Sequence, residues 1–303
     1  MKFSVLALDY DGTIAVDGRL DPDVATVMSE VRDRGIAVVV VSGRTLADLS
    51  RVSGGLGWAD AFALEDGAVV AFPDGETRLL APAASQPLVR ALRDAGVPFT
   101  AGQCVIEADA DHAPRILSLV RSLELPLALH FNRGRLMVLP YGVSKETGLR
   151  EVLRAFRLSA HNTLAIGDAE NDHPLLRTAQ VGAAVAWGSK ALQAEADDVV
   201  PGNGPPAVAA YLRRALESMR LPPARRVRHK VALGRTSDGA AVTMGVRNRN
   251  ILVAGDPRTG KSWAIGLICE QLIVAGYSLC IVDPEGDYAP LEALPGVVVV
   301  GGP

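Results

Sequence analysis

Short apolar runs alternate along most of the chain with segments in which apolar residues recur every three or four positions. A run of four to eight apolar residues is typical of a buried strand, and the longer spacing is typical of a helix with one apolar face. The predicted elements of this series are strand 3–8, helix 23–34, strand 36–41, strand 62–72 interrupted at 65–67, helix 145–156, strand 163–166, helix 172–179 and strand 181–185. The alternation predicts an α/β protein with a largely parallel sheet.

A different pattern interrupts this series between residues 83 and 141. Its predicted elements are helix 87–95, strand 103–108, helix 113–123, strand 127–130 and strand 136–139. Because the first pattern then resumes, we interpret residues 83–141 as an inserted α+β domain. Residues 1–82 and 142–220 together form the core that carries it. An insert of this kind commonly closes over an active site.

A second boundary lies near residue 220. The predicted helix 207–219 is stopped by Pro222 and Pro223, and a basic stretch follows from Arg225 to Lys230. No Phe, Tyr or Trp is interleaved there for stacking on bases, which favours a solvated linker over a nucleic-acid contact. We assign residues 221–249 to a basic linker and hairpin, and residues 250–303 to a partial second module.

Composition narrows the class of protein. The 303 residues correspond to about two domains, and 49% hydrophobic with 21% charged residues excludes wholesale disorder. A net charge of −3 gives no electrostatic case for binding nucleic acid or an anionic membrane. The apolar runs are shorter than the ~18 residues of a membrane helix. The three cysteines form no CxxC pair, and the N-terminus has no signal-peptide pattern, so we expect a cytoplasmic protein without a membrane partner.

Acidic residues follow the first predicted strand. Asp9 and Asp11 are two positions apart in an extended chain, so their side chains can face one site at the carboxyl end of a parallel strand. Two close carboxylates repel and need a proton or a cation between them, and Mg²⁺ suits a set of oxygen ligands. A strand that simply ends in an Asp-Gly turn at Gly12 is the alternative interpretation.

Three later segments favour the site over the turn. Ser42, Gly43 and Arg44 follow the second predicted strand and offer a hydroxyl and backbone N–H groups for a phosphate oxygen. Lys145 begins a predicted helix directly after the insert, where it can bring a cation to the same phosphate. Asp168 and Asp172 follow a further strand and add oxygen ligands. Each residue alone has an ordinary structural explanation, but their joint occurrence at the ends of elements predicts one site.

These motifs resemble those of the haloacid dehalogenase (HAD) superfamily, and within it the Cof-type (subclass IIB) phosphatases, over residues 1 to about 218. The matching positions are Asp9-x-Asp11-Gly12-Thr13, Ser42, Lys145 and Gly167-Asp168-x-x-Asn171-Asp172. The segment Glu65-Asp66-Gly67-Ala68 is similar to the one that precedes the family's inserted cap, with Asp66 where Asn is more common. The resemblance implies a Rossmann-like core with a parallel sheet and an α+β cap.

The resemblance also implies a mechanism. Asp9 would be the nucleophile and form an aspartyl-phosphate, and Asp11 would be the general acid and base. Mg²⁺ would be held by the Asp9 carboxylate, the Asp11 carbonyl and Asp168, with Asp172 behind them or bound through water. Ser42 and Lys145 would hold the phosphoryl oxygens. The remaining residues expected to bind phosphate or substrate are Gly12, Thr13, Gly43, Arg44 and Asn171.

The insert is expected to choose the substrate, and its size is similar to the smaller caps of the family, which include phosphoglycolate and sugar-phosphate phosphatases. Arg133 and Arg135 are candidate contacts, but plain hairpin charges are the favoured interpretation of both. A structural role is likewise favoured for His130. The physiological substrate cannot be read from the sequence.

A second motif lies near the C-terminus. Gly255, Gly260, Lys261 and Ser262 match GxxxxGK[ST] between a predicted strand at 250–254 and a predicted helix from about residue 263. In this context the loop would wrap the phosphates of a nucleotide such as ATP, Lys261 would reach the β- and γ-phosphates, and Ser262 would bind Mg²⁺. Asp283 and Glu285 follow a further predicted strand at 279–282 and are weaker candidates.

This part of the chain is similar to the beginning of an FtsK/HerA-type P-loop ATPase domain. Residues 250–303 are far fewer than the ~150 of a self-sufficient NTPase, so we expect nucleotide binding rather than hydrolysis, or a longer parent protein. A third strand is predicted near 297–303, and because apolar strand edges would be left unpaired, we expect partial disorder or association there. The leading hypothesis is a Mg²⁺-dependent phosphatase fused to a nucleotide-binding P-loop module. The alternatives are a truncated NTP-driven DNA- or protein-translocating ATPase with a regulatory phosphatase-like domain, and a phosphate-binding module without turnover.

Overall fold

The computed structural model describes residues 3–218, 230–246, 250–277 and 279–301. They form two compact units, the first within residues 3–218 and the second within 230–301. Each unit is described by itself. Residues 221–229 of the predicted basic linker lie outside the described residues.

The first unit contains both groups of elements expected from the sequence, the alternating series of the core and the insert between its two parts. Its strands among the described residues are β1 Val5–Asp9, β2 Ala15–Val16, β3 Arg19–Leu20, β4 Ala37–Val41, β5 Ala61–Leu64, β6 Val69–Ala71, β7 Thr77–Leu79, β8 Phe99–Ala101, β9 Ile106–Asp109, β10 Leu127–Asn132, β11 Arg135–Pro140, β12 Thr163–Gly167, β13 Val181–Val185 and β14 Asp198–Val200. Its helices are α1 Pro22–Asp33, α2 Leu46–Ser53, α3 Gln86–Asp94, α4 Ala113–Ser122, α5 Lys145–Phe156, α6 His173–Thr178, α7 Lys190–Glu195 and α8 Pro205–Ser218.

The main sheet has the strand order β14-β13-β12-β1-β4-β5-β6-β7. Strands β14 to β5 run parallel, whereas β6 and β7 are added antiparallel at one edge. In the register of the sheet, Asp9 lies beside Val41, the last residue of β4, and Leu8 lies beside Ile166 of β12. The carboxyl ends of β1, β4 and β12 therefore meet at one sheet edge, as predicted.

Both faces of this sheet are covered, which explains why the central strands are apolar at every position. Leu6 and Leu8 of β1 pack on the face covered by α1 and α8. The alternate residues Val5 and Ala7 pack on the face covered by α5 and α6. Helix α1 begins where the sequence indicates, because the Asp21 carboxylate accepts hydrogen bonds from the first free backbone N–H groups of the helix.

The insert is a separate antiparallel sheet with strand order β10-β11-β9-β8, packed on α3 and α4 around its own apolar core. Its elements run from Gln86 to Pro140, between β7 and α5. We call this α+β insert the cap. The sequence pattern missed β8 in the cap. In the core it missed short elements that are too brief for a clear period, namely α2, α7, β2, β3, β7 and β14.

The second unit departs further from expectation. A hairpin of β15 Lys230–Arg235 and β16 Ala241–Gly245 is present, as is helix α9 Lys261–Val274. The strands predicted at 250–254 and 279–282 are wrong, since neither segment forms a strand, and residues 297–301 form none either. An apolar run becomes a strand only when it finds a partner for its backbone hydrogen bonds. Leu252 and Val300 are instead 90% and 93% exposed. Among the described residues, no helix has the length and apolar character that crossing a membrane requires.

Candidate active site

Three carboxylates converge at the carboxyl end of the central strands. Asp9 is the last residue of β1, Asp168 follows β12, and Asp172 ends the short 3₁₀ turn before α6. All three are buried, and each contributes one oxygen to a group whose members lie within 4.8 Å of one another. The sequence prediction that these distant acids share one site is in agreement with this geometry.

Lys145 lies against this acid cluster. It is the first residue of α5 and is 1% exposed. Its Nζ donates to Asp9 Oδ1 and to Asp172 Oδ1, both at 2.5 Å. Burial disfavours its charged form, but Asp172 and Asp9 outweigh burial and raise the pKa of Lys145. Lys145 is therefore a permanent cation in the site.

The acid cluster still carries more negative charge than Lys145 can neutralise. Burial and the neighbouring Asp172 raise the pKa of Asp9, in spite of Lys145. Burial followed by Asp172 also raises the pKa of Asp168. Asp9 Oδ2 is buried and has no hydrogen-bond partner among the described residues. These carboxylates fit a hard divalent cation such as Mg²⁺, which Asp9, Asp168 and Asp172 would hold.

Asp172 also shapes the loop that carries Asp168. Its Oδ2 accepts hydrogen bonds from the backbone N–H groups of Asp168 at 2.8 Å and Ala169 at 3.0 Å. This contact needs Gly167, because a Cβ there would lie 2.6 Å from the Asp172 carboxyl carbon. One oxygen of Asp172 thus accepts a hydrogen bond from Lys145, while the other accepts hydrogen bonds from the loop backbone and stabilises the loop.

Gly12 and Thr13 lie directly beside Asp168. Gly12 has a φ of +81°, and a Cβ at this position would be 2.5 Å from Asp168 Oδ2, so both backbone conformation and space require glycine. The Thr13 hydroxyl donates to Asp168 Oδ1 at 3.4 Å. Trp187, which sequence reasoning did not single out, donates from Nε1 to the Gly12 carbonyl at 2.8 Å.

The segment after β4 reaches the same cleft. Ser42 is 1% exposed, and its Oγ accepts from the Arg44 backbone N–H at 3.1 Å. Arg44 forms a bidentate ion pair with Asp11. The hydrogen bonds to Asp11 raise the pKa of the Arg44 guanidinium, because they outweigh the opposite effect of burial. The Asp11 carboxylate is therefore not in the acid cluster, which leaves only its carbonyl for the metal role implied by the family resemblance. Asp9, Asp11, Ser42, Gly43, Arg44 and Asp168 line one cleft of about 1060 Å³.

The turn at Glu65–Gly67 connects the cap to the core. The buried Glu65 carboxylate accepts backbone N–H groups of the cap residues Gln103, Cys104 and Val105 at 2.8–3.0 Å. Asp66 Oδ1 accepts from Asn171 Nδ2 at 2.9 Å. Asn171, predicted to bind phosphate, therefore uses its amide nitrogen on Asp66, while its Oδ1 has no partner among the described residues.

One cap residue enters the acid cluster. Arg133, between β10 and β11, donates from Nη2 to Asp168 Oδ2. The favoured interpretation of Arg133 as a plain hairpin charge is therefore wrong, because the fold of the cap brings the hairpin over the core. Arg135 does pair within the cap, with Glu107 at 2.6 Å. His130 lies in a neighbouring cavity beside Asp66 and Asn171. Sequence spacing carries no signal for which hairpin residue reaches the core.

The predicted nucleotide-binding residues belong to the second unit. Gly260 has a φ of +86° and immediately precedes α9, and Lys261 Nζ donates to the Asp256 carbonyl at 2.7 Å. Gly255 lies exposed in the preceding loop, and Ser262 is exposed in the first turn of α9. The Asp283 carboxylate accepts three backbone N–H groups of its own loop, from Gly286 to Tyr288, at 2.8–3.1 Å. Its oxygens are thus already engaged within the loop.

The family model of the haloacid dehalogenase-like hydrolases matches residues 6–99 and 98–212. The chain belongs to this family. The residues that match the HAD family model include the core and the cap, and the match ends before the second unit.

Curated relatives of this HAD chain include phosphoglycolate phosphatases. The one from Halorubrum lacusprofundi is 32% identical over 236 residues, which cover 70% of this chain and 98% of the relative. The one from Methanopyrus kandleri is 25% identical over 235 residues, 71% of this chain and 98% of the relative. Together with the family match, they show a phosphatase of the HAD type.

Solved structures of the same fold include a HAD subclass IIB sugar phosphatase, with a TM-score of 0.59 and 16% identity over 72% of this chain and 100% of that chain. A HAD/COF-like hydrolase from Plasmodium vivax has a TM-score of 0.60 and 18% identity over 72% of this chain and 97% of that chain. At these identities the likeness concerns the fold, an α/β Rossmann-like HAD architecture.

Proposed function

We propose that this chain hydrolyses a small phosphorylated metabolite in a Mg²⁺-dependent reaction through an aspartyl-phosphate. The observation that carries the proposal is the buried acid cluster of Asp9, Asp168 and Asp172 with Lys145. Lys145 holds Asp9 Oδ1, whereas Asp9 Oδ2 accepts no hydrogen bond from the described residues and is the oxygen available to attack.

The reaction has two steps. In the first, Asp9 Oδ2 attacks phosphorus and the bond from phosphorus to the leaving oxygen breaks. Asp11, in its protonated form and with that oxygen released from Arg44, donates its proton to the leaving oxygen. In the second, Asp11 takes a proton from a water molecule that attacks the aspartyl-phosphate, which releases phosphate and restores the Asp9 carboxylate. Asp11 lines the same cleft as Asp9 and is 44% exposed, so leaving group and water can reach it.

Other residues around the acid cluster bind the phosphoryl group. Lys145 and the Ser42 hydroxyl offset the charge of its oxygens, and contacts of this type are typically worth ~3 kcal/mol in the transition state. We assign a further phosphate contact to the backbone N–H of Gly43, since the Gly12 N–H already donates to the Ala15 carbonyl and the Asn171 amide nitrogen to Asp66. Bound Mg²⁺ would supply electrostatic relief of the repulsion between the carboxylate and the phosphate dianion.

The substrate class rests on the relatives and the cap. Relatives are named phosphoglycolate phosphatases, and a protein of the same fold is named a sugar phosphatase. The small cap over the cleft supports a substrate of that size, a phosphorylated acid or sugar. A phosphate-binding module without turnover is disfavoured because the residues proposed as nucleophile, acid and metal ligands are all present.

Phosphate release from p-nitrophenyl phosphate in Mg²⁺ tests this proposal. Asp9→Asn should abolish the release, while Lys261→Ala in the second unit should leave it unchanged. The assignment of the chemistry to the first unit is wrong if Lys261→Ala removes activity and Asp9→Asn does not. Incubation of wild type and Asp9→Asn with substrate, followed by acid quench and mass spectrometry, should find the phosphorylated peptide at Asp9 in wild type alone.

We further propose that the second unit binds a nucleotide such as ATP. Gly260 at the start of the 14-residue helix α9 supports this, since free N–H groups at a helix N-terminus bind phosphate. A fluorescent ATP analogue should bind wild type, and Lys261→Ala should weaken binding at least tenfold. An absence of binding at millimolar nucleotide contradicts the proposal. The alternative, in which the second unit is part of an FtsK/HerA-type translocating ATPase, makes a further requirement. The protein should then hydrolyse the nucleotide, and Lys261→Ala should abolish that hydrolysis.

A further inference from the structure

Arg133 reaches from the cap into the acid cluster of the core. It lies in the turn between β10 and β11 with a φ of +53°, a left-handed conformation that is uncommon outside glycine. Its backbone N–H donates to Glu170 Oε2 at 3.3 Å, and its guanidinium donates to Asp168. The turn is therefore held with Arg133 directed at the reacting end of the cleft.

The partner of Arg133 is a carboxylate that the metal would also use. Asp168 belongs to the group of three acids that fit Mg²⁺. Arg133 is a cation in contact with Asp168, and a divalent ion held by the same carboxylate would compete with it. The Arg133 side chain is 56% exposed, and its guanidinium has no acceptor besides Asp168 among the described residues. A divalent ion held by Asp168 would therefore leave this guanidinium available for another anion.

The other arginines of the cleft differ in this respect. Arg44 is held by Asp11 and Asp48, and Arg135 is held by Glu107, none of which is in the acid cluster. Their carboxylate partners remain when the metal is bound. Arg133 is thus the cleft arginine whose charge becomes available as the site is loaded.

On the basis of the proposed phosphatase function, we propose that Arg133 binds a carboxylate on the leaving group of the substrate, so that the cap selects phosphate esters of hydroxy acids over esters of neutral alcohols. The planar guanidinium matches the two oxygens of a carboxylate. Asp48, Glu107 and Glu170 also line the cleft. These acidic residues would repel a second phosphate dianion on the substrate. A carboxylate on the substrate carries a single negative charge, which Arg133 can neutralise.

The kinetic experiment compares phosphoglycolate with ethyl phosphate, which has a methyl group in place of the carboxylate. In Mg²⁺, Arg133→Ala should lower kcat/KM for phosphoglycolate about 100-fold, the typical effect of losing a charge-assisted contact, and for ethyl phosphate less than about threefold. Arg133→Lys should retain part of the selectivity. Arg121→Ala, an exposed arginine near the end of α4 on the same cap, is the matched control and should change neither value.

Calorimetric titration with Mg²⁺ alone gives a readout that does not depend on turnover. Arg133→Ala removes the competing cation from Asp168, so Mg²⁺ should bind several-fold more tightly than to wild type, and Arg121→Ala should bind it as wild type does. Equal losses of kcat/KM on both esters, or a preference of wild type for a bisphosphate, overturn the carboxylate assignment. Unchanged Mg²⁺ affinity overturns the competition at Asp168. If wild type hydrolyses neither these esters nor p-nitrophenyl phosphate, the proposed function itself is wrong.

Discussion

Arg44 holds both carboxylate oxygens of Asp11, with Nε to Oδ2 at 2.7 Å and Nη2 to Oδ1 at 2.8 Å. The same guanidinium contacts Asp48 of α2, so it is fixed from two sides. The residue proposed as general acid is thus positioned by the segment that follows β4, and not only by its own loop. In the proposed mechanism, Ser42 and Arg44 would therefore act on two different parts of the reaction.

Removal of the Arg44 side chain should impair the proton transfer selectively. Arg44→Ala should lower kcat at least tenfold for an alkyl phosphate, whose leaving oxygen needs the proton, and much less for p-nitrophenyl phosphate. The double variant Arg44→Ala/Asp11→Asn should be no slower than Asp11→Asn alone, which steady-state kinetics can measure. Arg51→Ala is the control, because Arg51 contacts the same Asp48 from the surface. Additive losses in the double variant would contradict a positioning role.

Loss of the Lys145 charge should destabilise the fold as well as the reaction. Lys145→Met leaves Asp9 and Asp172 buried without their cation, and breaking a buried ion pair costs about 3–5 kcal/mol. Urea unfolding in EDTA should show this loss in the free energy of unfolding, and saturating Mg²⁺ should recover part of it. Lys190→Met, on the exposed start of α7, should change the free energy little. Equal stability of the two variants would show that Lys145 is not needed to neutralise the acid cluster.

Glu65 should hold the cap in place. Glu65→Ala leaves three backbone N–H groups of residues 103–105 without their acceptor, and the loss should be about 3 kcal/mol in the free energy of unfolding. Hydrogen exchange of these amides should accelerate. Glu76→Ala removes an exposed ion pair with Arg78 and should have little effect on either measurement. Unchanged exchange at 103–105 in Glu65→Ala would contradict this role.

The stabilisation by Mg²⁺ should increase with pH. The folded-state pKa values of Asp9 and Asp168 are raised above 3.8, chiefly by burial, so the folded metal-free protein binds protons more tightly than the unfolded chain. Its stability from these groups falls as pH rises from about 4 through the raised values. Mg²⁺ replaces those protons. The rise in Tm from EDTA to Mg²⁺ should therefore be larger at pH 7.5 than at pH 5, and Asp9→Asn should reduce the difference. A Tm shift independent of pH would contradict this account.

Much of the site could be predicted from local patterns. Asp9, Lys145, Asp168 and Asp172 each lie at the end of a strand or the start of a helix with a clear period, and parallel strands bring such ends together at one sheet edge. Local patterns failed for the strands predicted in the second unit, because strand formation depends on a pairing partner that is distant in sequence.

Local sequence patterns were enough to predict the alternating core, the inserted cap and the acids that meet at the sheet edge, because helical and strand periods depend on neighbouring residues. The folded structure was needed to find that Arg44 holds Asp11, that Glu65 binds the backbone of the cap, and that Arg133 rather than Arg135 contacts Asp168. Those contacts join residues far apart in the chain, and they depend on how the cap packs over the core, which no local spacing encodes.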